Sequence, residues 1–203
     1  MTGTANTESR KGSFVRPVIA IVASAGGLSA FSRILGDLPS DFNAAIVVLQ
    51  HLDPSHLSHL ANILSRRTRL RVKEAVAHER LESGVVFTAP PGAHLLVDRE
   101  GRLSLSNSAA VNFVRPAADR LLESLATSFG PRAIAVVLTG TGRDGASGAQ
   151  AVKRAGGTVI VQDEATSEFF GMPGAAIHAG LVDQILPIEE IGPALETLIG
   201  GMP

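Results

Sequence analysis

Short apolar runs rich in β-branched residues alternate along this chain with segments of helical periodicity, and this alternation restricts the fold more than any other feature of the sequence. Strands that alternate with helices form mostly parallel sheets with helices on both faces. The predicted strands are residues 15–23, 44–50, 133–138, 158–162 and 182–186. The predicted helices are residues 28–38, 53 to about 66, 116–129, 149–155, 174–179 and 188–199.

The stretch from residue 70 to residue 106 departs from this pattern. It contains short alternating runs, with turn signals at residues 90–92 and 99–102. We expect a strand and an antiparallel hairpin here, inserted beside the main sheet. The predicted fold class is therefore α/β: a three-layer, doubly wound, mostly parallel sheet with an inserted antiparallel hairpin. The short runs are residues 71–74, 85–89, 94–97 and 103–105.

The composition indicates one ordinary globular domain. A chain of 203 residues with 45% hydrophobic and 18% charged residues can bury one substantial core, which we assign to residues 15–203 after a loose polar tail at 1–14. The formal net charge of -1 gives no reason to expect a nucleic acid or membrane partner. The absence of cysteine excludes disulfides, thiolate chemistry and Cys-based zinc sites. Because the start lacks the apolar core of a signal peptide, we expect a cytoplasmic protein without membrane insertion.

A glycine-rich loop follows the predicted strand at residues 133–138. Gly140, Gly142 and Gly145 let the backbone turn sharply and expose its N–H groups, and Asp144 lies among them. The simplest role of Asp144 is to cap the helix that follows, because Asp commonly accepts hydrogen bonds from the first N–H groups of a helix. A functional carboxylate is the alternative, and the loop alone does not decide between the two.

Three polar side chains follow the carboxyl ends of predicted strands, where open α/β sheets bind their ligands. They are Ser24, His51 and Asp144. A histidine can take the proton of a serine hydroxyl, and a carboxylate behind the imidazole fixes its tautomer. Backbone N–H groups at the start of the helix after Ala25-Gly26-Gly27, or in the glycine loop near Thr141, could then bind the oxyanion of an acyl-transfer intermediate.

Each of these residues also has a simpler explanation. Ser24 before two glycines is typical of a turn or a phosphate cradle, and His51 can be a half-buried, hydrogen-bonded histidine. His56 and His59 are three residues apart on a predicted helix and, with His51 and Asp53, raise the question of a zinc site. No further ligand has a suitable spacing, so we favour solvated helix histidines and predict neither a metal nor a cofactor.

Six segments, in order along the chain, resemble the catalytic domain of the chemotaxis protein-glutamate methylesterases, the CheB family. The resemblance implies that Ser24 is the nucleophile, His51 the general base and then acid, and Asp144 the residue that orients His51. It also implies a γ-methyl glutamate ester on the cytoplasmic helices of a chemoreceptor as substrate, methanol as a product and, in some members, deamidation of receptor glutamines. The segments are Ala23-Ser24-Ala25-Gly26-Gly27, Leu49-Gln50-His51-Leu52, Ala89-Pro90-Pro91-Gly92-Ala93-His94, Val114-Arg115-Pro116-Ala117-Ala118-Asp119, residues 138–145 and Phe170-Gly171-Met172-Pro173.

Three features depart from the family pattern. Ala25 stands where the family has Thr, and Thr141 stands where it has Met, although the backbone N–H of Thr141 can still serve an oxyanion. About 15 residues precede the first predicted strand, which leaves no room for the N-terminal receiver domain that regulates family members in chemotaxis. We therefore expect a stand-alone esterase, an esterase regulated by a partner protein, or an excised domain.

The favoured function is a serine esterase whose partner is a methyl-accepting chemoreceptor or a similar methylated protein. Arg143 is expected on the rim of the cleft, where it can meet an acidic helix or remain merely solvated. One alternative is a nucleotide- or phosphate-binding module, although neither glycine loop matches G-x-G-x-x-G or the P-loop with its lysine. The other is a catalytically silent scaffold of a sensory array.

Overall fold

A parallel sheet forms the centre of the fold in this computed structural model, which describes residues 16–51 and 58–202. Within these residues the strands are β1 (Val18–Ala23), β2 (Ala45–Gln50), β3 (Arg71–Glu74), β4 (Val85–Thr88), β5 (His94–Val97), β6 (Leu103–Ser106), β7 (Ala133–Val137), β8 (Thr158–Gln162) and β9 (Gln184–Leu186). Seven of them pair in parallel in the order β3-β4-β2-β1-β7-β8-β9. β5 and β6 form a separate antiparallel hairpin, with His94 opposite Ser106.

Helices cover both faces of the sheet and give three layers. The helices in the described ranges are α1 (Gly27–Asp37), α2 (Leu60–Leu64), α3 (Ala118–Phe129), α4 (Ala146–Arg154), α5 (Gly171–Ala179) and α6 (Ile188–Gly201). α3, α4, α5 and the hairpin pack on one face, and α1, α2 and α6 pack on the other. The predicted α/β class with an inserted hairpin is confirmed.

The central strand β1 shows why its sequence is apolar throughout rather than alternating. Val18, Ala20 and Val22 face the layer of α3 to α5, whereas Ile19, Ile21 and Ala23 face the layer of α1, α2 and α6. All six residues are fully buried. A strand covered on both faces needs apolar side chains in both directions, which is the pattern of buried parallel sheets.

Some predicted boundaries differ from the structure. Residues 71–74 and 85–89 supply two parallel strands of the main sheet, β3 and β4, and the hairpin comes from the next two runs. α4 begins at Ala146 rather than at residue 149. α5 begins at Gly171 rather than at residue 174, because Pro173 in the first turn of a helix needs no N–H partner. The predicted tail at 1–14 and the predicted helix start at Asp53 lie outside the described residues.

The order of the strands places the ends of β1, β2 and β7 side by side. β1 pairs with β2 on one side and with β7 on the other, so the chain reverses its winding direction at β1. Ligands of open α/β sheets bind beyond the carboxyl ends of the strands at such a reversal. Ser24, His51 and the loop after β7 follow these three strand ends. None of the helices in the described parts of the chain is long and apolar enough to span a membrane.

Candidate active site

Ser24 lies in the short connection between β1 and α1, directly against the loop that follows β7. Its backbone N–H donates to the carbonyl of Thr139 at 3.0 Å, which ties the two loops together. A Cβ atom added at Gly140 would lie 2.9 Å from the Cβ of Ser24. Since carbon atoms cannot approach so closely without a shift, glycine at position 140 is what allows the β7 loop to pack against Ser24.

His51 and Asp144 are joined side chain to side chain. The Nε2 atom of His51 lies 2.7 Å from Oδ2 of Asp144. The His51 side chain is 12% exposed and the Asp144 side chain 4% exposed, so the pair is largely removed from water. The backbone N–H of His51 donates to the carbonyl of Ala23 at 3.2 Å and fixes the start of the loop after β2.

Asp144 caps a helix, but not the helix that follows it in the chain. Oδ2 of Asp144 accepts the N–H of Ala118 at 2.6 Å, and Oδ1 accepts the N–H of Asp119 at 3.1 Å. Both N–H groups belong to the first turn of α3. α4 instead begins after Gly145 with no hydrogen bond from the side chain of its own N-cap residue. Of the two roles that the sequence left open for Asp144, capping of the next helix is therefore not the one seen here, because tertiary packing brings a different helix to this carboxylate.

Asp119 forms the corresponding hydrogen bonds with the start of α4. Its Oδ1 accepts the N–H groups of Gly145 at 2.9 Å and Gly148 at 2.8 Å. The first turn of α3 is thus bound by Asp144, which precedes α4, and the first turn of α4 is bound by Asp119, which belongs to α3. This exchange explains why α4 starts earlier than its sequence suggests, since its first turn has an acceptor that comes from α3.

The two carboxyl groups are shifted in opposite directions. Burial raises the pKa of Asp119 above its ordinary value, and the neighbouring charge of Asp144 adds to this rise against the opposing backbone hydrogen bonds. Burial also acts to raise the pKa of Asp144. The hydrogen bond from His51 and those from the backbone of α3 outweigh it, so the pKa of Asp144 lies below its ordinary value. Asp144 is therefore the carboxylate held in its charged form.

A cavity of about 570 Å³ opens where these residues meet. Ser24 and His51 both line it, but among the described residues no hydrogen bond joins the Ser24 hydroxyl to the imidazole. Such bonds are often long in a free enzyme and shorten when substrate binds. The lining residues are Ser24, His51, Asn112, Phe113, Val114, Thr141, Gly142, Arg143 and Asp144.

Two backbone N–H groups belong to the two loops that meet at Ser24. In residues 16–51 and 58–202, the N–H groups of Ala25 and Thr141 donate to no protein acceptor, whereas their neighbours at Ser24 and Gly140 do. Ala25 precedes the N-cap of α1, Gly26, and so lies just outside the N-terminus of a helix, whose dipole favours negative charge nearby. The predicted residues Ala25 and Thr141 therefore offer the kind of donors that bind an oxyanion.

The remaining histidines do not form a metal site in the part of the chain that is described. No group of three or more metal-binding side chains occurs there. His59 is exposed at the start of α2, and His56 lies outside the described residues. His94 is buried and hydrogen-bonded through both ring nitrogens, to the carbonyl of Ala109 and to the N–H of Ala117, which indicates a structural role.

Three residues of this site were not singled out from the sequence. Asn112 donates through Nδ2 to Oδ2 of Asp119 at 3.1 Å and, more weakly, to Oδ1 of Asp144 at 3.5 Å. Phe113 lies next to it on the cavity wall. Asp119 lies in a segment that carries the family resemblance, and this was the one signal available. The sequence does not show which loop that carboxylate reaches.

Comparisons with known proteins identify the family of the chain. A family model described as CheB methylesterase matches residues 19–195. The chain is 45% identical over 179 residues to the protein-glutamate methylesterase FrzG of Myxococcus xanthus, covering 88% of this chain and 54% of that protein. It is 42% identical over 188 residues to a protein-glutamate methylesterase/protein-glutamine glutaminase of Moorella thermoacetica, with 91% and 44% covered. The chain thus spans about half the length of these curated relatives.

The fold also matches a solved structure, the CheB methylesterase catalytic domain of Thermotoga maritima. The TM-score is 0.87 and the sequence identity 39%, and the match covers 90% of this chain and 98% of that one. The family model, the relatives and this structure cover nearly the whole of the described sheet and its helices. The chain therefore belongs to the CheB methylesterase family.

Proposed function

We propose that this protein is a serine esterase that hydrolyses γ-methyl esters of glutamate residues on a protein substrate and releases methanol. The observation that carries the proposal is the buried hydrogen bond between His51 and Asp144, at 2.7 Å, in the same cavity as Ser24. The names of the relatives, which are protein-glutamate methylesterases, support the same substrate.

The first half of the reaction forms an acyl-enzyme. Oγ of Ser24 attacks the ester carbonyl carbon while its proton passes to His51. Since Nε2 of His51 is bound to Asp144, the proton goes to Nδ1, the reverse of the nitrogen usage in the chymotrypsin-type triad. The charge of Asp144 stabilises the imidazolium that forms. The N–H groups of Ala25 and Thr141 bind the oxyanion of the tetrahedral intermediate.

The second half returns the enzyme to its starting state. The intermediate collapses with cleavage of the carbon–oxygen bond, and the methoxide leaves as methanol with the proton from His51. A water molecule then attacks the acyl-Ser24 ester while His51 takes one of its protons. Collapse of this second intermediate yields glutamate and restores the Ser24 hydroxyl. The net reaction consumes one water and uses no cofactor.

The substrate that fits best is a methyl-accepting chemoreceptor, whose methylated helices place the enzyme in the cytoplasm. Arg143 is exposed on the cavity lining and forms no ion pair within the described part of the chain, so it is free to meet an acidic surface. A second activity, deamidation of glutamine side chains, is favoured by the name of the Moorella thermoacetica relative. It would use the same intermediates, with ammonia in place of methanol.

The experiment is a measurement of methanol release from a methylated chemoreceptor fragment. We expect release by the wild type and a loss of about 10⁴-fold or more in kcat for Ser24→Ala, as in other triads. Ser29→Ala is the matched control, because Ser29 is an exposed serine on α1 outside the cavity lining, and it should keep full activity. Equal release by the wild type and Ser24→Ala would overturn the proposal. A folded wild type without release would favour the scaffold alternative.

A further inference from the structure

A fully exposed phenylalanine lies at the mouth of the candidate site. Phe113 has a relative exposure of 102%, the highest of the exposed large hydrophobic residues in the described chain. It sits at the tip of a tight turn in which the N–H of Val111 donates to the carbonyl of Val114 at 3.1 Å and the reverse bond measures 3.0 Å. A side chain with this exposure contributes no buried area to the fold.

The backbone at this turn is also unfavourable for phenylalanine. The φ angles of Asn112 and Phe113 are 51° and 66°, so both central residues lie in the left-handed region of a type I′ turn. Asparagine tolerates this region well, but the second central position strongly prefers glycine, and a bulky side chain there is strained. Neither burial nor backbone preference therefore accounts for an aromatic residue at position 113.

The side chain of Asn112 ties the turn to Asp119 and, more weakly, to Asp144. The Asn112 side chain donates to Asp119 at 3.1 Å and to Asp144 at 3.5 Å. Phe113 lines the same cavity as Ser24 and His51. The position of the exposed ring is thus tied to the groups that would attack the ester.

The distribution of aromatic residues points to the same place. The chain has 8 phenylalanines and neither tryptophan nor tyrosine. Within the described ranges, Phe113 and Phe169 are the exposed aromatics, at 102% and 40%. Phe169 is tied to the β7 loop, because its carbonyl accepts the N–H of Gly140 at 2.9 Å. Both exposed rings therefore belong to segments that border the site, while the core receives the buried ones.

We propose that Phe113 is a specificity-determining residue whose ring packs on an apolar side chain of the protein substrate beside the methylated glutamate. This inference rests on the proposed function and adds the chemistry of the substrate surface. Arg143 lines the same cavity, so the fitting surface presents an apolar residue and an acidic residue near the ester. A small ester carries no such neighbours and cannot use this contact.

The test compares Phe113→Gly with the wild type on two substrates, the methylated chemoreceptor fragment and p-nitrophenyl acetate. Because exposed aromatic anchors dominate many interfaces, we expect kcat/KM on the protein to fall roughly 10-fold more than on the small ester, mainly through KM. The Tm should equal or exceed that of the wild type, since glycine relieves the strain of the left-handed region. Phe113→Asn, which tolerates the same backbone, should show the same selective loss and so trace it to the ring.

Leu181→Gly is the matched control. Leu181 is 47% exposed and has a φ of 68°, but it lies outside the cavity lining. It should leave kcat/KM on both substrates unchanged. An equal loss on both substrates for Phe113→Gly, or no loss on the protein, would overturn the inference while wild-type methanol release still upheld the esterase. A wild type that releases no methanol would overturn both.

Discussion

The N-termini of α3 and α4 meet beside the candidate site. The N-terminus of α3 is capped by Asp144, from the loop before α4, and the N-terminus of α4 is capped by Asp119, from α3. Asp144 accepts two N–H groups of α3, and Asp119 accepts two N–H groups at the start of α4. Their surroundings differ, because Asp144 also meets His51, whereas the charges of Asp144 and Glu123 act on Asp119. The pKa of Asp144 is lowered and that of Asp119 is raised. Two carboxylates with the same structural task thus have pKa values shifted in opposite directions, and the hydrogen bond from His51 contributes to the lowered pKa of Asp144.

The largest effect should come from removing the charge of Asp144, the carboxylate that is hydrogen-bonded to His51. In Asp144→Asn the amide can still accept an N–H from α3, but its NH₂ group cannot accept from Nε2 of His51. The imidazole then adopts the wrong tautomer, and we expect kcat for methanol release to fall about 10⁴-fold. Asp37→Asn, a change in an exposed residue of α1, is the control and should keep full activity. A loss of less than about tenfold in Asp144→Asn would contradict the assigned role of this carboxylate.

The next largest effect should come from Asp119, where two variants separate its hydrogen bonds to the loop from its charge. Asp119→Ala leaves the N–H groups of Gly145 and Gly148 without their acceptor, so the free energy of unfolding should fall by about 1–2 kcal/mol. The displaced loop should also lower kcat by roughly 10- to 100-fold. Asp119→Asn keeps one oxygen for both N–H groups and should restore most of each loss. Urea unfolding and methanol release measure the two effects, and equal behaviour of the two variants would show that these hydrogen bonds do not position the loop.

The opposite pKa shifts predict opposite dependences of stability on pH. Since the pKa of Asp144 is lowered in the fold, its stabilisation is complete above the ordinary Asp pKa of about 3.9 and is lost as the pH falls below it. Since the pKa of Asp119 is raised, the fold loses stability as the pH rises through the raised value.

Thermal unfolding across pH makes this comparison directly. The Tm of Asp119→Asn should gain on that of the wild type as the pH rises from about 4 towards neutrality. The Tm of Asp144→Asn should fall behind that of the wild type as the pH rises from about 2 to 5. Changes of the same sign in both variants would show that the pKa values of the two carboxylates are not shifted in opposite directions.

The smallest effect should come from the side chain of Thr141. Its backbone N–H is the proposed oxyanion donor, and the hydroxyl is not needed for that contact. Thr141→Ala should therefore change kcat by less than about threefold, well below the 10²-fold or more that loss of an oxyanion donor costs. A loss of 10²-fold on methanol release would assign the contact to the hydroxyl and show that the departure from methionine at this position matters.

The sheet and the placement of the three site residues could be predicted because their signals are local. β1 and β7 are continuous apolar runs, and Ser24, His51 and Asp144 follow directly after strands. Parallel strands bring their carboxyl ends to one edge, so these positions converge whatever the details of the helices.

The exchange between Asp119 and Asp144 could not be predicted in the same way. The two residues are 25 positions apart, and their hydrogen bonds depend on how α3 packs against the loop after β7. No local pattern predicts the type I′ turn at Asn112 and Phe113 either, because the second position of the turn carries phenylalanine instead of glycine. Both features arise from tertiary packing, and both lie next to the site.

Covalent labelling with a fluorophosphonate is the sharpest test of Ser24 as the nucleophile, because this reagent reports an activated serine without any assumption about the substrate. The modified protein is digested, the labelled residue is identified by mass spectrometry, and labelling rates are compared for the wild type, His51→Ala and Asp144→Asn. We expect one adduct, on Ser24, that forms far more slowly in both variants. An unlabelled Ser24 in the folded wild type, or an unchanged rate in His51→Ala, would contradict this assignment.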